Sequence, residues 1–496
     1  MKTRRQSSQQ FVLLPVRGTA VGSAAYEQEL LGFFTSLSSS TKSVASAQPR
    51  KPRVQMRVLD SIRENGAKLV EMPPDSAGAL RAVQPGMRLV PVVYYRPALA
   101  PRMTISARPQ VAAVTKGIPI ALTLASRKDG KPIAGATVVA FTDFANRLGD
   151  QGVTNTKGQV SLAFSGAKKI QRLYVYPPAG WWPLLKRNLP VTPAMTTGLR
   201  PLDLSYTDGL RHFFGNAKHA DGAGVKVAVV DTGVGPHNDL VVDGGENTVV
   251  GENPNDFADS GHPHGTHVAG IIAARGLPPT GVRGLAPGVA LRSYRVFGKG
   301  QDTASSYAIA KAIDRAVTDG CDLINLSLGG GPADDATRAA IEDARAAGSV
   351  VIAAAGNGGR KPVSYPAAEA AALAVSAFGR EGTFPTDSTA AGDVMKPYGT
   401  DQKNFLAAFS NIGIEIDLTC TGVGIISTVP GGYEVMSGTS MACPAVTGRA
   451  AQFLAQRSHL LSMSRNQARS DAIIRALLQS ARRLGFGPPF EGQGLP

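Results

Sequence analysis

The chain has 496 residues, 43% of them hydrophobic, a size that suits two to four globular domains, and no apolar run nears the length of a membrane span. Its formal charge of +15 is uneven: residues 1 to 200 carry 28 lysines and arginines against 9 acidic residues, and the remaining 296 carry 24 against 28. A basic first part beside a mildly acidic second part is compatible with intramolecular docking or an acidic partner, though a solvated basic surface is the commoner explanation, and without an RNA-binding aromatic motif or zinc-finger spacing nucleic acid is disfavoured.

The N-terminus has a basic start, Lys2, Arg4 and Arg5, but Phe11-Val12-Leu13-Leu14 is too short for a signal-peptide core, so the expectation leans to a cytoplasmic protein. Residues 11 to 18 read as a strand, and Glu27 to Leu37 has apolar residues at helical spacing. After a polar, proline-containing loop from Ser38 to Arg53, strands are predicted at Val54 to Leu59, Lys68 to Met72 and Arg88 to Tyr95. A helix from Asp75 to Val83 stands before the last of these. The order β-α-β-β-α-β is the ferredoxin-like arrangement. From residue 100 to about 192 the pattern changes to short strands, Ile120 to Leu124, Ala136 to Phe141, Gly158 to Phe164 and Arg172 to Tyr176. Lys128-Asp129-Gly130-Lys131 and Asn155-Thr156-Lys157-Gly158 supply turn chemistry between them, which favours a small β-sandwich. Trp181-Trp182 reads as packing.

From Gly224 onward, near-continuous apolar strands at Val225 to Val230, Leu291 to Val296, Leu323 to Leu328 and Val350 to Ala355 alternate with helical patterns. The helices fall at Gly265 to Ala274, Ala304 to Thr318 and Asp334 to Ala347. That alternation predicts a parallel sheet covered on both faces, an α/β fold with functional loops gathered at the strand carboxyl ends. Three cysteines, Cys321, Cys420 and Cys443, all lie in this part, and an odd count argues against a disulfide framework.

Three local sequences carry the chemistry. Val227-Ala228-Val229-Val230-Asp231-Thr232-Gly233 ends an apolar strand in a carboxylate, and His264-Gly265-Thr266-His267-Val268-Ala269-Gly270 opens a helix with an imidazole. Ser437-Gly438-Thr439-Ser440-Met441-Ala442-Cys443-Pro444 sets a serine at a helix start. Ser440 as nucleophile, His264 as general base and Asp231 as its orienter complete the set that serine hydrolases need. An aspartic-protease reading of Asp231-Thr232-Gly233 requires a second copy, and Asp259-Ser260-Gly261 follows too closely to head a second lobe. His264 and His267 stand three apart, but without His-Glu-x-x-His or a further ligand cluster no metal is expected, and no cofactor.

The order Asp, His, Ser and these motifs closely resemble the subtilisin-like serine proteases over roughly residues 220 to 485. The resemblance implies a three-layer αβα catalytic domain and a serine endopeptidase acting on protein or peptide substrates through an acyl-enzyme. It also implies that Asn357, in Ala354-Ala355-Gly356-Asn357-Gly358, supplies the side-chain amide of an oxyanion hole. Ser327, Leu328 and Gly329 would pair with the peptide backbone, and Ala354 and Gly356 would line the wall of a roomy first pocket. The N-terminal arrangement resembles the family's propeptide, which predicts a zymogen whose strand at Arg88 to Tyr95 leads its tail into the cleft. Gly135-Ala136-Thr137-Val138 and Thr156-Lys157-Gly158-Gln159-Val160 resemble carboxypeptidase-regulatory or bacterial Ig-like modules. The expected division is therefore 1–98, 99–195 and 196–496. Three departures stand out. Ala273 to Pro287 holds no Asp, Glu or Asn where many relatives bind calcium, Ala445 stands where many have histidine, and Phe384 to Phe405 is an extra stretch suited to a lid or partner loop. The rival reading, a catalytically silent peptide-binding protein on the same fold, is separated from the first by substrate turnover.

Overall fold

A computed structural model describes residues 8–14, 55–63, 66–83, 88–105, 118–164 and 167–496. The helix expected at Glu27 to Leu37 lies outside the described residues.

The first body is built from β1 (Gln9–Leu14), β2 (Arg57–Ser61), β3 (Lys68–Met72), α1 (Pro74–Val83) and β4 (Arg88–Pro91). The sheet order is β2-β3-β1-β4, antiparallel throughout. Alternation along β1 divides its side chains between two cores. Phe11 and Leu13 join Val70, Met72, Ala77, Leu80 and Leu89 beneath α1, while Val12 and Leu14 join Ile62 and Leu69 against Tyr307, Ala310 and Ala336 of the C-terminal part. Asp60 to Lys311 (2.7 Å), Arg63 to Asp314 (2.7 Å) and Arg88 to Asp335 (3.1 Å) surround that second contact.

The strand expected at Arg88 to Tyr95 is two strands. β4 ends at Pro91, which has no N–H to extend the ladder. The chain then leaves this sheet, and β5 (Tyr94–Pro97) pairs elsewhere.

The second body is a pair of sheets, formed by β6 (Ile118–Ser126), β7 (Thr137–Asp143), β8 (Leu148–Val153), β9 (Gln159–Phe164), β10 (Lys169–Tyr176), β11 (Leu184–Pro190) and β12 (Ala194–Leu199). The sheets are ordered β11-β10-β7-β8 and β12-β6-β9, with Leu122, Leu124, Val138, Leu162, Leu173 and Val175 in the core between them. The strands β8, β11 and β12 were not legible. β8 reads Leu-Gly-Asp-Gln-Gly-Val on a sheet edge, with no fully buried side chain to impose alternation.

The third body carries α2 (Gly209–Phe214), β13 (Lys226–Asp231), β14 (Gly245–Asn247), α3 (His264–Ala273), β15 (Ala290–Arg295), β16 (Ala304–Ser305), α4 (Ser306–Thr318), β17 (Leu323–Leu326), β18 (Leu328–Gly329), α5 (Asp335–Ala346) and β19 (Val350–Ala354). It continues with β20 (Ala372–Arg380), β21 (Asn404–Leu406), β22 (Ile416–Thr421), the hairpin β23 (Ile425–Val429) and β24 (Gly432–Met436), α6 (Thr439–Ala455) and α7 (Gln467–Ser480). The main sheet runs β14-β15-β13-β17-β19-β20-β21, with β22 also on β20, and is parallel except for β21. Val227, Val229, Val350 and Ile352 face the core shared with α3 and α6, and their neighbours Ala228, Val230, Val351 and Ala353 face the core shared with α4 and α5. Helices on both faces of a largely parallel sheet make three layers, an α/β fold of the expected kind.

The extra stretch at Phe384 to Phe405 docks on the second body. Leu185 N–H donates to Asp387 O (2.8 Å), Thr389 N–H to Pro183 O (3.2 Å), and Arg127 pairs with the Asp387 carboxylate. Trp182 is buried in the main core, 5.0 Å ring to ring from Tyr206.

Candidate active site

The end of β13 and the starts of α3 and α6 bring Asp231, His264 and Ser440 to one place, each fully buried. Asp231 Oδ1 lies 2.7 Å from His264 Nδ1 and also accepts the Thr232 N–H at 2.7 Å, which fixes both carboxylate and ring. Gly265 permits this approach, since a Cβ there would stand 2.3 Å from the Gly233 carbonyl. His264 Nε2 has no hydrogen-bond partner among the described residues.

Ser440 is held differently. Its Oγ donates to the Ser327 carbonyl at 2.8 Å and makes no hydrogen bond to His264 in this arrangement. Its own carbonyl faces a problem set by the sequence: four residues on stands Pro444, which has no N–H to complete the helical bond. The Ser327 hydroxyl takes that place, donating to Ser440 O at 3.1 Å. Beneath lies a buried polar cluster in which Asn325 accepts from Thr447 Oγ1 (2.9 Å) and donates to Ser327 Oγ (2.9 Å). Cys443 adds its thiol to Asn325 Oδ1 (3.3 Å), and burial raises that thiol's pKa, which suits a packed rather than a reactive cysteine.

Asn357 Oδ1 accepts from Thr439 N–H (2.9 Å) and Thr439 Oγ1 (3.2 Å). Its Nδ2 is buried with no hydrogen-bond partner among the described residues. Gly356, at φ +100°, donates its N–H to Thr439 Oγ1 (3.1 Å), and a Cβ there would meet Ser364 Oγ at 2.3 Å. Sequence reasoning missed Thr439 as the common partner of Asn357 and Gly356. The sign was its place between a glycine and the serine.

The cleft is filled by the chain itself. β5 lies between β16 and β18, with Ser305 opposite Tyr94, Ala304 opposite Tyr95, Gly329 opposite Arg96 and Leu328 opposite Pro97. Ala98 N–H donates to Ser327 O (3.0 Å), Ser440 N–H donates to Ala98 O (3.1 Å), and Ala100 N–H donates to Ser437 O (2.9 Å). Gly438 leaves room for this passage, because a Cβ there would stand 2.7 Å from Ala98 O and 3.1 Å from Leu99 Cα. Tyr95 is fully buried beside Tyr365, and its hydroxyl donates to Pro332 O (2.9 Å) and to the Asp334 carboxylate. Ala354 is fully buried in the core under this site.

His267 stands apart. Its Nε2 meets the carbonyls of Ile425 (3.2 Å) and Glu434 (3.1 Å), and burial pushes its pKa down to about 3, so it is neutral packing. No group of three or more His, Cys, Asp or Glu able to hold a metal occurs among the described residues. Asp239 directs its carboxylate to Val282 N–H (2.8 Å) and Tyr433 Oη (3.0 Å).

An open parallel sheet that brings aspartate, histidine and serine, in that chain order, to one peptide-filled cleft defines a class, the subtilisin-like α/β proteins. The chain belongs to the subtilase family, which residues 222–494 match. It is 39% identical over 276 residues to alkaline elastase YaB of Bacillus sp. (strain YaB), covering 55% of this chain and 63% of that one. It is 41% identical over 233 residues to subtilisin BL of Lederbergia lenta (46% and 76%), and 39% identical over 259 residues to subtilisin DY of Bacillus licheniformis (51% and 84%). The chain thus spans less than two thirds of the elastase.

Proposed function

We propose that this protein is a serine endopeptidase that holds its own segment Tyr94 to Arg102 in the cleft and is released by cutting the Ala98–Leu99 bond. One observation carries the reading: the Ala98 carbonyl accepts the N–H of the predicted nucleophile while Ala98 N–H and Ala100 N–H are held on either side. These three bonds support reading Ala98–Leu99 as the scissile peptide. Ser440 turns from the Ser327 carbonyl to attack the carbonyl carbon, His264 Nε2 takes its proton, and Asp231 stabilises the imidazolium. Charge developing on the carbonyl oxygen is met by Ser440 N–H and by the unpartnered Asn357 amide. His264 returns the proton to the leaving amine, Leu99 after the first cut, and water then hydrolyses the acyl-enzyme. Main-chain pairing along residues 327–329 positions substrates by β-addition.

Residues 1–98 act as a lock. The apolar face on α4 and α5, ringed by three ion pairs, anchors the body that delivers β5. Residues 99–496 then form the enzyme, with the β-sandwich retained.

A fluorophosphonate probe tests the nucleophile. Processed wild-type protein is expected to label and Ser440→Ala is not; equal labelling of both would overturn the proposal. Ser440→Ala is also expected to stay full length where wild type yields a fragment beginning at Leu99.

A further inference from the structure

After Ala98 the chain runs between the catalytic body and the β-sandwich. Met103 N–H donates to Tyr176 Oη at 2.8 Å. The Arg102 guanidinium lies 5.2 Å from the centroid of the Tyr176 ring and 3.7 Å from Glu434 Oε1. These groups line a cavity of about 750 Å³ whose walls come from both bodies: Tyr174, Tyr176 and Trp181 from the sandwich, and His262, Asp393 and Glu434 from the catalytic side.

The chemistry of that cavity favours a cation. The Glu434 side chain is only 16% exposed, and burial raises its carboxyl while Arg102 draws it back down. Carboxylates that have lost water gain more from a nearby positive charge than exposed ones do. An aromatic face beside them suits a planar guanidinium. The wall's own cation, Arg172, is engaged inside the sandwich, 3.6 Å from the Phe144 ring centroid and bonded to Tyr174 Oη (3.3 Å).

We propose that Glu434 and Tyr176 form a specificity subsite for an arginine or lysine side chain at the fourth position after the cleaved bond. The β-sandwich, outside the part of the chain that matches the family, supplies one wall of it. In the intact chain Arg102 is the occupant, four residues past Ala98. The inference rests on the register proposed above. An acidic residue at the same position is disfavoured by the largely buried Glu434 carboxylate.

The test uses processed protein in an Arg102→Gln background, because residues 99–496 keep their own occupant, with Glu434 unchanged (wild type below) or replaced, and a set of internally quenched peptides identical except for Arg, Gln or Glu at the fourth position past the cut. Wild type is expected to rank them Arg, Gln, Glu, with Arg over Gln by roughly 3- to 10-fold in kcat/KM, the scale of a partly exposed ion pair with an aromatic contact. Glu434→Gln is expected to lower the Arg to Gln ratio to what the Tyr176 contact alone supplies, roughly 2-fold or less. This ratio is taken within one preparation, so a loss of folded protein does not move it. Equal rates in wild type, or a ratio retained in Glu434→Gln, would overturn the subsite. Mass analysis of the processed chain reports the register by itself: an N-terminus other than Leu99 would overturn the register.

Discussion

The hydroxyl of Tyr95 gives the sharpest quantitative expectation. Four residues before and including the proposed cut, this side chain is fully buried, and its hydroxyl reaches the Asp334 carboxylate and the Pro332 carbonyl. Asp334 is committed elsewhere through its other oxygen, which accepts the N–H groups of Ala336 and Thr337 (both 2.9 Å) at the start of α5. Removing the tyrosine hydroxyl therefore leaves the cap intact but strips a buried carboxylate oxygen of its donor. A hydrogen bond to a charged group contributes about 1.5–3 kcal/mol, which converts to roughly a 10- to 100-fold change in affinity. The assay is competitive inhibition of processed enzyme by the hexapeptide Val-Tyr-Tyr-Arg-Pro-Ala, residues 93 to 98, against the same peptide with phenylalanine in place of Tyr95. The phenylalanine peptide is expected to have an inhibition constant higher by that factor. Equal constants would refute the reasoning, because the apolar part of the pocket would then account for all of the binding.

Two further expectations follow from the site and its surroundings. Asn357→Ala removes the unpartnered amide and is expected to lower kcat about 100- to 1000-fold with a small effect on KM; this range is the one established for removing such a donor in related enzymes, and steady-state kinetics checks it. Asp393 tests a pH effect. Its folded pKa of about 7 stands above the ordinary carboxylate value. Between about pH 4 and 7 the folded chain holds a proton that the unfolded chain has lost, so this group's contribution to stability falls as pH rises through that window. Asp393→Asn, compared in a Ser440→Ala background, is expected to raise Tm at pH 8 and to match the parent near pH 4. A Tm difference independent of pH would count against the assignment.

The C-terminal half was legible because its strands leave little choice. Val227 to Val230 and Val350 to Ala353 are continuous β-branched and small apolar runs, buried on both faces, and no amphipathic helix looks like that. β20 escaped notice because Ala-Leu-Ala-Val-Ser-Ala-Phe-Gly-Arg is rich in helix formers, and only its position between β19 and β22 makes it a strand. α6 contains Pro444 and Gly448 and holds its form through packing, with all of its first ten residues buried. The site residues sat in recognisable local sequences. The peptide that fills the cleft was expected only from the family resemblance, as the tail of the Arg88 to Tyr95 strand; Ala98-Leu99-Ala100-Pro101 has no local mark and β5 is defined only by partners more than two hundred residues away. The same is true of the arginine contact made by the sandwich, which depends on two bodies meeting.

The two bonds of Ser327 have a mechanical meaning. Its hydroxyl clasps the first turn of α6 where Pro444 leaves a gap, and its carbonyl receives both the incoming backbone N–H and the hydroxyl of Ser440. Reader and blade are thus hinged on one residue. One main-chain oxygen thus sets the resting place of the Ser440 hydroxyl and the register of the backbone that pairs beside it. Ser327, which is none of Asp231, His264 and Ser440, therefore ties the strand edge to the start of α6 through hydroxyl and carbonyl at once.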